Sequence, residues 1–422
     1  MAKFALRCTG CEATYDPPRL HCDHCNGLLR SEYGNTAFRP TDRSDLFAFQ
    51  DWIPASMPSD VPLGTAILES EALADEMGLQ RLSIAFSGYA PKLGAENPTG
   101  SFKDFEAIPT MLYYREHGIE SLVLASAGNT ARAFAYAATQ LDFPVIIVVP
   151  ERALERLWIP CAPTPAVRLV VLDGCDDYAE AIRVAGLISE SLEIPNEGGA
   201  RNVARRDGMS TGILEYARRH QGLPAHYFQA IGSGTGAIAT WEASMRLVQA
   251  GVGTQPPQLH LSQNAPFAPI HEAWTLGMPI DPNAHVAEQL RKIEQIDALV
   301  LANRTPPFGI PGGVRDALSA TDGLTYAITN AEAREAGRRF QRTEGLAIGP
   351  AASVATAALF KAVETGTVQS SDAIMLHITG NDRAQVDTDC VKHRAQPVWR
   401  ISPEQATADA ILAAKDRLLP NR

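Results

Sequence analysis

The chain has 422 residues, 45% hydrophobic and 20% charged, the make-up of a soluble globular protein too long for one core, so two or three domains are expected. Its 37 basic and 48 acidic residues give a formal charge of −11, which argues against a general binder of nucleic acid or anionic membrane and requires any anionic substrate to meet locally concentrated positive charge. The densest apolar run, "VIIVV" at 145–149, is far short of the ~20 residues of a membrane span, and "MAKFALRCTGC" lacks the apolar core of a signal peptide, so a cytoplasmic protein is expected.

The first segment, 1–34, carries "CTGC" (Cys8, Cys11) and, ten residues later, "CDHC" (Cys22, Cys25). Two such knuckles on short turns place four thiolates around Zn²⁺, and the segment reads as a zinc ribbon, with a metal-free ribbon or a redox pair as the other readings. Four basic residues (Lys3, Arg7, Arg19, Arg30) balance four acidic ones (Glu12, Asp16, Asp23, Glu32), which makes it a poor nucleic-acid binder. The remaining cysteines, Cys161, Cys175 and Cys390, are scattered singly, against a disulfide framework.

From about 35 the chain is polar and rich in proline, then helical around "TAILESEALADEMG" (65–78). A further helix is predicted over "FEAIPTMLYYREHG" (105–118), followed by the short apolar strand "SLVLAS" (121–126), a glycine break, an alanine-rich helix over "TARAFAYAATQLD" (130–142) and the strand "FPVIIVVP" (143–150). The rhythm repeats: strand "AVRLVVLDG" and helix "YAEAIRVAGLISESL"; strand, glycine loop and helix in "HYFQAIGSGTGAIATWEASMRLVQ"; and a late strand in "DAIMLHITGND". Alternating strands and helices predict a doubly wound α/β fold with a mostly parallel sheet, whose ligands sit at the carboxyl ends of the strands.

Three turns at such ends can carry chemistry. "GSGTG" (Gly232, Ser233, Gly234, Thr235, Gly236) lets backbone N–H groups converge before a helix, which suits a phosphate, although close packing alone also selects such a turn. "SAGNT" offers Ser126, Asn129 and Thr130 to a carboxylate or an aromatic hydroxyl, or simply caps its helix. "NPTGSFKD" sets one lysine, Lys103, after a turn of small residues. A first-turn lysine opposes the helix dipole, so it fits better as an amine condensed with a carbonyl than as a solvated cation. A Schiff-base lysine, an Asn loop and a phosphate cup, in that order, are the parts a pyridoxal phosphate (PLP) enzyme needs.

This order and wording resemble the fold type II PLP enzymes (tryptophan synthase β-like), and within them the threonine synthase group. "NPTGSFKD", "SAGNT", "GSGTG", "EGLAIGPAASVATAAL" and "ITGND" are similar to that group's motifs over roughly residues 5–385, and the cysteine segment followed by "LLRSEYG" is similar to its N-terminal ribbon. The resemblance implies Lys103 as the Schiff-base lysine and base for the α-proton, Asn129 on the cofactor's 3′-oxygen, Gly232–Gly236 on its phosphate and Thr379 facing the ring nitrogen. A neutral hydroxyl there favours elimination and replacement over transamination. It also implies a small subdomain over 96–195 carrying the Asn loop, a large one from 35–95 and 196–400, a C-terminal helix over 401–422, and a homo-oligomer.

The departures matter. Phe105 and Glu106 stand where the group usually has Arg-Gly, and "TGND" replaces "TGHG". "ASAGNTARAFAYAA" and "YFQAIGSGTG" resemble the cysteate synthase branch more than threonine synthase itself. That branch implies β-replacement on O-phosphoserine through a bound aminoacrylate, with sulfite as nucleophile, releasing cysteate and phosphate; where the host makes coenzyme M, the cysteate would feed that pathway. Threonine synthesis from O-phosphohomoserine, β-replacement by another nucleophile, and a non-catalytic regulatory relative are the competing readings. The substrate anions call for cations, with Arg132 first and Lys92, Arg201, Arg205 and Arg315 in loop-like stretches as further candidates.

Overall fold

Runs rich in valine, isoleucine and leucine, each ended by glycine, proline or a polar turn, form buried strands because they have no polar face to give to water. The computed structural model describes residues 3–126, 128–175, 178–381 and 383–419. Its strands in chain order are β1 (Phe4–Cys8), β2 (Thr14–Tyr15), β3 (Leu29–Tyr33), β4 (Ala66–Glu69), β5 (Arg81–Phe86), the small hairpin β6 (Tyr89–Ala90) and β7 (Ala95–Glu96), then β8 (Leu122–Ala125), β9 (Val145–Pro150) and β10 (Val167–Leu172). They continue with β11 (His226–Ala230), β12 (Gln258–Asn264), β13 (Leu324–Ile328), β14 (Ala373–Ile378) and β15 (Pro397–Ile401).

Two sheets dominate. The larger has the order β13-β12-β11-β14-β5-β4, parallel throughout except for the antiparallel edge strand β4. The smaller, β15-β10-β9-β8, is wholly parallel. Helices cover both, as parallel sheets require. β15, in the stretch expected to belong to the large subdomain, pairs with β10, and the segment after it forms two short helices, Ala408–Ala413 and Lys415–Leu418. Ile411 and Leu418 of these helices are buried in the core of the smaller sheet. Residues 420–422 of the expected C-terminal helix lie outside the described residues.

The helix expected over 65–78 divides. Ala66–Glu69 becomes β4, paired with Ser83–Phe86, and the helix is confined to Ala72–Met77. The open edge of β5 supplies a ladder that outweighs local propensity. Among the described residues no helix is long and apolar enough to cross a membrane.

The N-terminal ribbon is a three-stranded antiparallel sheet, β2-β1-β3. Phe4, Leu6 and Cys8 alternate inward along β1, and Leu29 and Tyr33 face the same way from β3. A buried ionic lattice docks it. Asp207 accepts hydrogen bonds from Ser31 (2.6 Å), Tyr33 (2.8 Å) and Arg246 (2.7 Å), while Glu242 accepts from Arg30 (3.3 Å) and Arg206 (2.9 Å). Each of these buried charges is met by several donors, the condition under which burying it is tolerable.

Candidate active site

The lysine turn leads into the helix Asp104–Glu116. Asp104 folds back on the turn, accepting from Thr99 N (2.9 Å) and Thr99 Oγ1 (2.8 Å), and burial pushes its carboxyl up to about 7. Phe102 N donates to Thr379 O at 2.9 Å, and Ser101 bridges Gly380. The lysine turn is thereby stitched to the "ITGND" turn at the carboxyl end of β14. Asn381 completes the stitch by exchanging hydrogen bonds with the backbone of Tyr89 (2.9 and 2.7 Å).

Lys103 is not a solvated first-turn cation. Its side chain is 19% exposed, its Nζ lies 4.7 Å from the Phe102 ring centre, and it donates to Glu106 Oε1 at 2.5 Å. Burial lowers its pKa, Glu106 opposes that, and Arg205 adds to it. The other Glu106 oxygen accepts from Arg205 at 2.5 Å, and Arg205 also donates to both oxygens of Glu197 at 2.6 Å. Burial alone would lower Arg205, but the two carboxylates hold it above the ordinary guanidinium value. Arg205 lies on the helix Val203–Met209, pressed against the lysine helix at Gly208, where a Cβ would stand 1.9 Å from Phe105 O.

The Asn loop joins β8 to the helix Asn129–Leu141. Ser126 Oγ caps this helix, accepting from Ala131 N at 3.1 Å and Gly128 N at 3.4 Å, so the capping role falls to Ser126 and leaves Asn129 and Thr130 at the helix start. Arg132 donates to Asn129 Oδ1 and lies over Trp158, 4.6 Å from its ring centre. The glycine loop sits between β11 and the helix Thr235–Gln249, with Ser233 and Thr235 hydroxyls 2.8 Å apart. Gly234 has φ +79°, and a Cβ there would lie 2.3 Å from Val314 Cγ2. Because β11 and β14 are neighbours, the glycine loop and the Thr379 turn leave the sheet side by side.

The structure therefore brings Lys103 and Thr379 together and sets the glycine loop on the adjacent strand. The other proposed cations differ. Arg205 is occupied by Glu106 and Glu197, Arg201 donates to Asn26 of the ribbon, Lys92 is exposed in the turn Pro91–Leu93, and Arg315 is exposed beside Asp316. The sequence reading gave no role to Glu106, Glu197 or His377. His377, on β14, bonds Ser87 (2.9 Å) and Tyr227 (2.7 Å) and meets Phe102 edge-on; burial pushes it down to about 3. The i, i+3 spacing of Lys103 and Glu106 was the available signal for the first; nothing local marks the others.

The four ribbon cysteines cluster. Their Sγ atoms all lie within 4.8 Å of one another, with Cys8–Cys25 and Cys11–Cys22 both at 3.4 Å. A tetrahedron of Zn–S bonds has sulfur edges of roughly 3.8 Å, so the four can hold a zinc ion. A hydrogen bond from Tyr15 (3.2 Å) draws the Cys22 thiol down to about 6, towards the thiolate that metal binding needs. All seven cysteines are thiols outside any disulfide.

Residues 60–380 match the family described as pyridoxal-phosphate dependent enzyme. The chain is 43% identical to cysteate synthase of Methanocella arvoryzae, covering 98% of this chain and 99% of that one, and 43% identical to cysteate synthase of Methanosarcina barkeri, covering 94% and 96%. It belongs to the cysteate synthase family of PLP-dependent enzymes. The cysteate synthase family fold agrees with solved structures: diaminopropionate ammonia lyase from Escherichia coli, in complex with an aminoacrylate-PLP azomethine reaction intermediate, superposes with a TM-score of 0.58 at 16% identity, covering 84% of this chain and 94% of that one. The site fits the family's cofactor: a largely buried amine at a helix mouth, and a glycine loop whose positive φ aims backbone N–H groups ahead of a helix.

Proposed function

We propose that the protein is a cytoplasmic PLP enzyme that converts O-phospho-L-serine and sulfite to L-cysteate and phosphate. The observation that carries this reading is a largely buried Lys103, tied through Phe102 to the Thr379 turn, in a chain 43% identical over nearly its whole length to a cysteate synthase. Lys103 is assigned as the lysine that binds the cofactor, Gly232, Ser233, Gly234, Thr235 and Gly236 as the cradle of its phosphate, Asn129 as the partner of its 3′-oxygen and Thr379 as the neighbour of its ring nitrogen.

When bound, PLP supplies an electron sink for the electrons left at Cα. The chain's own task is then proton transfer and anion positioning. Lys103 Nζ takes the α-proton; the Cβ–O bond breaks and phosphate leaves with its electron pair; sulfite sulfur forms the new bond at Cβ, and the proton returns to Cα. The N–H groups of the glycine loop and the helix behind it hold the cofactor's phosphate without needing net positive charge. Ser126, Thr130 and Arg132, on the Asn loop and its helix, are assigned to the substrate's anionic groups. Cysteines kept as thiols support a reducing compartment, and the exposed Leu276, Met278, Leu299 and Val300 support a homo-oligomer.

The test offers the purified protein phosphoserine with sulfite, or phosphohomoserine alone, and identifies the released amino acid by mass spectrometry. Cysteate from the first mixture is expected; threonine from the second with no cysteate from the first overturns the reading. The protein should be yellow, and Lys103→Ala should lose the imine absorption.

A further inference from the structure

Lys103 has a carboxylate built beneath it. Glu106 lies one helical turn further along the same helix, is 0% exposed, and divides its two oxygens between Lys103 Nζ and Arg205 Nη2, each at 2.5 Å. Arg205 is anchored in turn by both oxygens of Glu197, and Glu197 is fixed by its backbone N–H to Val123 O (2.9 Å) of the smaller sheet. The result is a quartet of two cations and two carboxylates, electrically balanced and largely buried, with Lys103 its most exposed member and Glu106 its least.

Stability does not explain the arrangement. Buried ion pairs are commonly no more stabilising than apolar side chains of the same volume, and Arg205 already has a bidentate partner in Glu197. What Glu106 adds is an acceptor on the one atom that must change its protonation state. The Lys103 ammonium has to shed a proton before it can act as nucleophile or base. If the N–H bond breaks towards Glu106 Oε1, an O–H bond forms there, the amine regains its lone pair, and the quartet's net charge is unchanged. No charge has to cross the buried wall, and the reverse transfer restores the ammonium.

We propose that Glu106, clamped by Arg205 and Glu197, is a positioning residue that holds the Lys103 amine and stores the proton it gives up. This rests on the assignment of Lys103 as the cofactor-binding lysine. The groups around the amine come from three segments: Glu106 from its own helix, with the Asp104 carboxyl beside it, Arg205 from the helix packed across it, and Glu197 from the segment between the helix Tyr178–Leu192 and the Arg205 helix; the phenols of Tyr114 and Tyr178 feel the charge of Glu197.

The test compares wild type with Glu106→Gln and Glu106→Asp. In the cofactor-free protein, lysines are reductively methylated with ¹³C-formaldehyde and the Lys103 signal, assigned by its loss in Lys103→Ala, is titrated by NMR. Glu106→Gln should move the Lys103 midpoint to lower pH, because the neutral amide no longer favours the ammonium while Arg205 still opposes it; Glu106→Asp should keep it close to wild type. In the holoenzyme, Glu106→Gln should lower kcat roughly 10- to 100-fold with little change in KM, the size expected when a reacting group is misplaced. Glu106→Asp should recover part of the rate, and the acid limb of the pH–rate profile should shift only in the glutamine variant. An unmoved Lys103 titration, or a loss confined to KM, overturns the proposal. Should Glu106→Gln not fold, Arg205→Lys provides the second arm: unchanged Lys103 titration and kcat there overturn it equally. If instead Lys103→Ala retains the imine absorption, the assignment of Lys103 fails, a result distinct from either outcome at Glu106.

Discussion

Replacing Gly234 by alanine probes the glycine loop through two separable costs. The backbone there has φ +79°, and the left-handed region costs an L-residue about 1–2 kcal/mol. The new Cβ would also stand 2.3 Å from Val314 Cγ2, a buried side chain at the start of the helix Val314–Ala320. Overpacking of this kind costs about 1–3 kcal/mol, so Gly234→Ala should lose about 2–5 kcal/mol in all. Val314→Ala alone should cost about 2 kcal/mol from the buried methyl groups it removes. Joined with Gly234→Ala it vacates the clash, so the double variant should be more stable than the sum of the singles by about 1–3 kcal/mol, the overpacking share. Denaturant unfolding of the cofactor-free proteins reads the cycle, and fluorescence titration with PLP reads the cradle. Affinity should fall at least about tenfold in Gly234→Ala, equivalent to about 1.4 kcal/mol. Strict additivity of the two substitutions, or a Gly234→Ala protein with wild-type stability and PLP affinity, would refute the geometry of the loop.

Two further expectations concern the ribbon and the buried histidine. Freshly purified protein should contain roughly one zinc per chain by metal analysis, and Cys22→Ser should lose it along with part of the thermal stability; full metal content in that variant would contradict the four-thiolate site. His377 is held neutral by burial, its pKa down at about 3, whereas the unfolded chain takes up a proton there near 6.5. Its contribution is therefore complete above pH 6.5 and is lost as pH falls towards 3, amounting to about 2 kcal/mol between pH 6.5 and 4.5. Denaturant midpoints of wild type and His377→Asn across that window should show a shallower loss in the variant. His260, also pushed down to about 3, acts in the same sense, and Asp104, pushed up to about 7, in the opposite one; both cancel in the comparison.

Local signals read well from the chain because their causes are local. The buried strands at 122–125, 145–150, 167–172 and 226–230 announced themselves by apolar runs that end in glycine, proline or a polar turn. "GSGTG" announced a turn that only glycine can make at Gly234, and Cys8, Cys11, Cys22 and Cys25 announced a thiolate cluster by spacing. Lys103 stood out because a cation at a helix mouth needs a reason. Of the helix expected over 65–78 only Ala72–Met77 forms, since Ala66–Glu69 belongs to a strand whose ladder is supplied by β5, residues further along that local propensity does not see.

The charge environment of Lys103 was beyond any local signal. Glu106 lies three residues away, but Arg205 and Glu197 reach it across a separation of about a hundred residues, and the sequence could offer Arg205 only as one loose cation among several. In the folded chain that arginine is committed to two carboxylates, and its neighbours Arg206 and Asp207 face the other way, into the ribbon. One short helix thus ties the cysteine segment to the lysine. Spacing along a chain specifies turns, strand patterns and metal knuckles, because these depend on dihedral preference and nearest neighbours. Which buried charges neutralise one another is settled by packing, because that choice depends on what the fold brings within 3 Å after water has been excluded.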